Sequence, residues 1–325
     1  MADEYTHFIS ELSQLGAVSR EALLADGAKL KDKVILITGG ASGIGKDFGL
    51  EAARFGAKLA ICNTTPKTGT AAAKAMEAAG SPKTLSVSPI DVQDWDQQLR
   101  FFKETVAAFG KIDIVVVNAG ITEVGDFGDF AGLSALGDPK PPNFKTFQTN
   151  TVGALYTTRL ALHYLRENSA KDKSIVLVGS MASFFGIPAA PMYTTSKHAM
   201  LGMMRSLVYQ CKSEGIPLNM VAPWFTDTNI IDIPTRSGLA GLPLCEMADC
   251  TAAMVKLATD KTMYGHSLVI DARGIFNIPP ESTLVGKSSY YYEFSRRAAF
   301  SIQLTVLARD SLLFARHLVK RTIGI

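Results

Sequence analysis

The sequence predicts an α/β fold, a single domain whose mainly parallel sheet of about seven strands is flanked by helices on both faces. Three observations carry this expectation. Short apolar runs alternate with helix-period segments from Lys33 to Asp271. The first run, "KVILITG", opens at once onto "GASGIGKDFG", where glycine and alanine thin the side chains just after a strand. The composition, 47% hydrophobic and 19% charged, suits a soluble chain with an ample core.

The elements follow in order. Residues 1–30 form an N-terminal extension in which "SREALLADG" reads as a short helix. The body, residues 31–280, begins with the strand "KVILITG" and a helix through "GIGKDFGLEAARFG". "AKLAIC" and "KTLSVSPID" are the second and third strands, with "TGTAAAKAMEAAG" as the helix between them. The helix "DWDQQLRFFKETVAAFG" leads to the fourth strand, "KIDIVVVNAG". The Gly/Pro-rich stretch from Gly125 to Asn143 is an irregular excursion. A long helix over "FKTFQTNTVGALYTTRLALHYLREN" precedes the strand "KSIVLVGS", and another covers "PMYTTSKHAMLGMMRSLVYQCKSEG". "PLNMVAPW" and "HSLVIDA" complete the sheet, and residues 281–325 form a helical C-terminal extension.

Composition narrows the function classes. Cys62, Cys211, Cys245 and Cys250 form no CxxC pair, so reduced thiols and a cytoplasmic protein are expected. Asp3, Glu4 and Glu11 interrupt any signal-peptide pattern, and no run reads as a membrane span. The five histidines form no metal cassette, so no metal is expected. The net charge of +3 is concentrated in the tail, and no aromatic-lined basic groove argues for nucleic acid. Ser180 has no G-x-S-x-G context, which argues against hydrolysis.

The glycine-rich turn is a candidate nucleotide site. Gly39, Ser42, Gly43, Ile44 and Gly45 lie between a strand and a helix at the first crossover. Glycine permits close backbone approach there, and a helix amino terminus offers N–H groups to phosphate. A Walker-type loop is a poor match, because Lys46 is not followed by Ser or Thr. Asp91 closes the third strand, where it can bond an adenine amino group. Asn118, Ala119 and Gly120 close the fourth, where small residues let an adenosine pass. An acidic residue ending the second strand would favour NAD(H) by binding the ribose hydroxyls. Asn63 stands there instead, with Lys67 nearby, which tilts the expectation to NADP(H) with NAD(H) close behind.

A second constellation concerns chemistry. Tyr193 and Lys197 are four residues apart on one helix face, and Ser180 follows a strand. A nearby ammonium favours phenolate, so Lys197 is expected to make proton transfer through Tyr193 more accessible. Lys197 can also hold ribose hydroxyls, Ser180 can donate to a substrate oxygen, and Asn150 can hold a water beyond Lys197. Each residue has an ordinary reading as well: a helix cap, a core edge, a solvated lysine, a local backbone bond.

Taken together, "TGGASGIG", Asp91, "NAG", Asn150, Ser180 and "YTTSK", with the Ser180-to-Tyr193 interval, resemble the short-chain dehydrogenase/reductase family. The overall pattern is similar to fungal relatives of prostaglandin-type alcohol dehydrogenases. The resemblance implies a Rossmann-like domain, an NAD(P) cofactor, a catalytic tetrad of Asn150, Ser180, Tyr193 and Lys197, and a homodimer or homotetramer. It also implies cofactor contacts from Pro223 and Thr228 in "VAPWFTDT", where Trp224 replaces the family's glycine.

The expected activity is reversible hydride transfer between NAD(P)(H) and a secondary alcohol or ketone. An inactive dinucleotide-binding scaffold and an NADP-dependent epimerase or dehydratase are the alternatives. Phe184, Phe185, Trp224 and Phe225 read equally as cavity lining for a relatively apolar substrate or as core packing. In the tail, Phe300, Leu304, Leu307, Phe314 and Leu318 form an apolar stripe opposite Arg309, Arg316 and Lys320. Residues 289–325 thus suit protein packing, including oligomerisation, or an anionic membrane surface.

Overall fold

β-Branched and other apolar runs become strands wherever both of their faces can be covered. Val34–Thr38, Ser174–Val178 and Ser267–Asp271 are buried at every position, the pattern of strands sandwiched between helix layers. The computed structural model describes residues 2–125, 127, 128, 138, 140–170, 172–226, 228 and 241–280, with 304, 307, 308, 311, 312 and 315 in the tail.

The strands are β1 (Ala17–Val18), β2 (Val34–Thr38), β3 (Lys58–Cys62), β4 (Thr84–Val87), β5 (Ile114–Val117), β6 (Ser174–Val178), β7 (Leu218–Pro223), β8 (Ser267–Asp271) and β9 (Gly274–Ile278). They form one sheet in the order β1-β9-β8-β7-β6-β5-β2-β3-β4. All pairings among β2 to β8 are parallel. These are the seven strands expected from the sequence. β9 adds an antiparallel edge to β8, and β1 pairs antiparallel with β9 through Ala17–Phe276 and Val18–Ile275.

The helices are α1 (Ala2–Leu15), α2 (Arg20–Leu24), α3 (Gly43–Arg54), α4 (Pro66–Ala78), α5 (Trp95–Phe109), α6 (Lys145–Phe147), α7 (Gly153–Glu167), α8 (Pro191–Ser213) and α9 (Met247–Thr259). One face of the sheet buries Phe101 and Phe102 of α5, Leu160 and Leu165 of α7, Met200 and Met204 of α8, and Phe8 and Leu12 of α1. The other buries Phe48 of α3, Met76 of α4, Leu23 of α2 and most of α9. The expected long helix before β6 is broken by a π turn, Gln148–Val152, between α6 and α7.

Local chemistry sets the ends of α5. Asp94 accepts from the N–H groups of Asp96 and Gln97, and Gly110 ends the helix at φ 79°. The N-terminal segment is tied to the body as well. Arg20 of α2 bonds Asp249 at 2.7 Å and Glu246 at 2.5 Å, reaching the start of α9.

Among the described residues no helix is long and apolar enough to cross a membrane. Leu304, Leu307 and Leu312 are helical and exposed. Phe300, Arg309, Phe314, Arg316, Leu318 and Lys320 lie outside the described residues, as does most of the 125–143 excursion.

Candidate active site

The carboxyl ends of β2 and β5 hold the glycine turn. Gly39 (φ 65°) and Gly43 (φ 51°) adopt left-handed backbone, which a side chain resists. Ser42 sits extended at the N-cap of α3, and its side chain makes no capping bond to the helix. The helix therefore starts with its first N–H groups uncapped by Ser42, the arrangement that receives an anion. Ile44 packs against the core layer beneath.

Asn118 ties this turn to β5. Its side-chain amide donates to Thr38 O at 2.9 Å and Gly39 O at 3.1 Å, while its N–H and that of Ala119 donate to Thr38 Oγ1. A Cβ at Gly45 would overlap the Asn118 amide, and one at Gly39 would come within 3.0 Å of Ala119 Cα. Thr228, from the segment after β7, lies over the turn: a Cβ at Gly43 would meet its methyl at 3.7 Å. Two stretches separated in sequence thus face one another across the turn.

The second-strand end is occupied by its own hydrogen bonds. The Asn63 amide donates to Thr65 O and Thr68 Oγ1, and its oxygen accepts from Ser88 Oγ at 2.6 Å. Lys67 is exposed beside it. Asp91 is exposed, accepts from Gln93 N at 2.9 Å and donates its own N–H to Gln97. A Cβ at Gly120 would stand 3.2 Å from Asn150 Oδ1.

Ser180, Tyr193, Lys197 and Asn150 gather at the carboxyl ends of β5 and β6. Ser180 caps a 3-10 turn, Met181–Ser183, through Ala182 N, and its Oγ reaches Pro223 O at 3.4 Å. Its hydroxyl also hydrogen-bonds Tyr193. Lys197 is buried, with Nζ donating to Val178 O at 3.0 Å and lying 5.6 Å from the Tyr193 ring centroid. Burial pulls the Lys197 ammonium down to about 8. The same desolvation raises the Tyr193 phenol above its ordinary value, with the Ser180 hydrogen bond opposing it. The expected pull of Lys197 towards phenolate is not what sets the direction: burial does, opposed by Ser180.

Asn150 sits in the π turn and is buried. Its Oδ1 accepts from Ile121 N at 2.8 Å, and its Nδ2 donates to Ile121 O at 2.9 Å and Ser196 Oγ at 3.1 Å. Both amide hydrogens are engaged by protein, so the side chain has no donor left for a water.

The aromatic residues divide between packing and site. Phe185 is buried, with its ring centroid 5.6 Å from Phe8 and 6.1 Å from Trp224. Phe184 lies 5.2 Å from Phe8. Trp224 and Phe225 are half-buried and meet edge-on at 4.7 Å, directly after Pro223. The N-terminal helix thus backs the loop that follows Ser180, a packing partner the sequence reading lacked.

No group of three metal-ligating side chains occurs among the described residues. The four cysteines are buried, and burial pushes the Cys62, Cys211 and Cys250 thiols up to about 12, away from thiolate. His198 is exposed, with Nδ1 3.0 Å from Thr194 O.

Sequence reasoning passed over Glu123. Its carboxylate accepts from Tyr193 N at 2.7 Å and Met192 N at 3.3 Å, at the start of α8. The available signal was that "AAPMY" opens a helix with no Ser, Thr, Asp or Asn to cap it.

Residues 33–234 match the family model described as short chain dehydrogenase. The chain is 33% identical to the short-chain dehydrogenase/reductase ascJ of Acremonium egyptiacum, over 80% of this chain and 85% of that protein. It is 31% identical to 5'-hydroxyaverantin dehydrogenase of Dothistroma septosporum, over 78% of this chain and 89% of that protein. Mouse (Mus musculus) 15-hydroxyprostaglandin dehydrogenase [NAD(+)] is 29% identical over 78% of this chain and 87% of its own. A short chain dehydrogenase from Mycobacterium paratuberculosis, solved bound to NAD, superposes with a TM-score of 0.66 at 24% identity, covering 75% of this chain and 98% of that one.

The close approach at Gly45 gives a test of the turn. Gly45→Ala should push the Asn118 amide off the Thr38 and Gly39 carbonyls. The expected result is a loss of about tenfold or more in NADH and NADPH affinity, equivalent to one or two lost hydrogen bonds. Fluorescence titration of either reduced cofactor measures it, and unchanged affinity would show that the turn does not carry the phosphates.

Proposed function

We propose that this chain, which belongs to the short-chain dehydrogenase family, reversibly transfers hydride between NAD(P)(H) and a relatively apolar secondary alcohol or ketone. The observation that carries the reading is the convergence of Ser180, Tyr193 and Lys197 beside the glycine turn. The relatives named as hydroxyaverantin and hydroxyprostaglandin dehydrogenases support oxidation of a hydroxyl group as the reaction class.

The residues present fit a dinucleotide. Gly39 to Gly45 would take the pyrophosphate, Asp91 and Asn118 to Gly120 the adenosine, and Pro223 and Thr228 the segment towards the reacting end. When bound, the cofactor supplies or accepts the hydride. The chain supplies the proton and the geometry. Tyr193 gives a proton to the forming alkoxide in reduction and takes one from the alcohol in oxidation. Ser180 donates to the same substrate oxygen and stabilises its developing charge. Lys197 has one ammonium hydrogen on Val178 O, leaving two for ribose hydroxyls. Asn150 acts through position, holding Ile121 and Ser196. Half-buried Trp224 and Phe225, the two residues after the Pro223 carbonyl that meets Ser180, favour an apolar substrate.

Cofactor preference belongs to the same proposal. Asn63 brings no carboxylate against a 2′-phosphate and Lys67 stands nearby, which favours NADP(H); the mouse relative's name favours NAD(H). The two affinities are expected to lie within about tenfold of each other. Asn63→Asp should then shift the ratio towards NADH by about tenfold, roughly 1.4 kcal/mol of added repulsion and ribose bonding. Parallel titration with both reduced cofactors reads the ratio, and no shift would dismiss Asn63 as a discriminator.

Tyr193→Phe should lower turnover by about 100-fold or more while cofactor affinity changes little. The assay is absorbance at 340 nm with apolar cyclic ketones and alcohols, each tested with both cofactors. Wild-type-like turnover in the variant would defeat the proton-transfer role, and a changed product without net redox would point to epimerisation.

The pH dependence follows from the two shifts. At neutral pH both Tyr193 and Lys197 hold their protons, the state that reduction needs. As pH rises through about 8, Lys197 loses its charge first, while the raised Tyr193 stays protonated. Ketone reduction, followed as kcat/KM, should therefore be level near neutrality and fall above about pH 8. A profile level to pH 10 would contradict a charged Lys197 as the working form.

A further inference from the structure

We infer that Glu123 is a positioning residue for Tyr193: its carboxylate closes a ring of hydrogen bonds that fixes the Tyr193 main chain from both sides. The inference rests on the reading of Tyr193 as the proton-transfer residue.

The ring begins with a deficit. Helix α8 follows Ala190 (φ −127°, ψ 56°), which offers no side-chain cap, and its first residue, Pro191, has no N–H. The next two N–H groups, of Met192 and Tyr193, both reach Glu123, one to each carboxylate oxygen. A charged acceptor at a helix amino terminus is favoured by hydrogen bonding and by the helix dipole together. This cap comes from 70 residues upstream, on the segment leaving β5.

The other side of Tyr193 returns to that same segment. Tyr193 O accepts from Ser196 Oγ at 2.7 Å, and Ser196 Oγ accepts from Asn150 Nδ2 at 3.1 Å. Asn150 holds both the N–H and the C=O of Ile121. Thr122 O accepts from Thr146 Oγ1 at 2.9 Å, and then comes Glu123. Each of the three residues 121 to 123 is thus tied to a helix or to the π turn, and the circuit is closed.

A local Ser or Asp at position 190 would cap α8 equally well. It would not link Tyr193 to the strand end that the cofactor turn also uses. The Glu123 link sets the position of Tyr193 relative to β5, and through Asn118 relative to the glycine turn. Misplacement of a reacting group by about 1 Å costs up to 100-fold in rate, so loosening this ring should appear in kcat before it appears in binding.

The experiment combines Glu123→Ala, Glu123→Gln and Ser196→Ala, which opens the ring on its other side. Turnover is measured with 1-tetralone as the apolar cyclic ketone probe and either reduced cofactor. Tyr193 amide exchange is followed by NMR on 15N-tyrosine protein. Glu123→Ala and Ser196→Ala are each expected to lose about tenfold or more in kcat with cofactor affinity within twofold. Amide exchange at Tyr193 should quicken in Glu123→Ala, and Glu123→Gln, which keeps one acceptor oxygen, should recover most of both readouts. Normal kcat in Ser196→Ala, or in Glu123→Ala with quickened exchange, would overturn the inference while leaving the oxidoreductase reading intact. A wild type that reduces neither this probe nor any other ketone would remove the reading of Tyr193, and this inference with it.

Discussion

Strands β2 and β5 lie side by side although β3 and β4 come between them in the chain. After β2 the sheet grows outward through β3 and β4, then the chain returns to start β5 on the other side of β2. Parallel strands need crossovers, and crossovers cover the faces, so this reversal sends neighbouring connections to opposite sides. The helix after β2 packs on one face, with Phe48, and the helices after β5 pack on the other, with Leu160 and Leu165. A crevice opens where they diverge, at the carboxyl ends of the two strands. The glycine turn, Asn118 to Gly120 and the segment to Glu123 all line that one place.

The polar groups at this crevice serve as geometry. Asn118 holds two carbonyls of the turn, and Asn150 holds both backbone groups of Ile121. Asn150 is buried and Asn118 half-buried, and amides removed from water are costly unless their donors and acceptors are met, which fixes the orientation of each. The π turn belongs to the same logic. It displaces Asn150 from a regular helix register and lets one side chain reach both the β5 exit and Ser196 on α8. Asn150, Ser180, Tyr193 and Lys197 are held by the π turn, the end of β6 and the start of α8, all on the β5 side of the switch point, so three segments distant in sequence meet in space.

How much of this was legible in the sequence depends on the kind of signal. The seven parallel strands were visible because each is an apolar run bounded by a turn. The glycine turn and the Tyr193–Lys197 pair were visible because a few residues at fixed spacing define them. Helix α9 was not, because nine of its thirteen residues are buried, which leaves no polar stripe to mark a helical period. β1 has two residues, too few for any alternation. The role of Glu123 and the backing of Phe184 by Phe8 are contacts between distant segments, and no local pattern encodes them. The direction of the Tyr193 shift was misread for a related reason: spacing tells which groups are neighbours, whereas burial decides which of their charge states survives.

Burial acts on both members of that pair, and in opposite senses. It penalises the phenolate of Tyr193 and the ammonium of Lys197 alike, raising one pKa and lowering the other. Near neutrality the pair therefore carries a neutral phenol beside an ammonium whose hold on its proton burial has loosened, down to about 8. Val178 O keeps that ammonium in place despite the loss of water. A phenol so placed is a proton donor first. It becomes a base only when charge supplied at the crevice compensates the lost solvation. Ser180 offers the first part of that compensation, since its hydrogen bond is the one interaction here that lowers the Tyr193 pKa. The Ser180 hydroxyl has one hydrogen, which Pro223 O, the phenol oxygen and an incoming substrate oxygen would take in turn, while Ala182 N holds its Oγ in place.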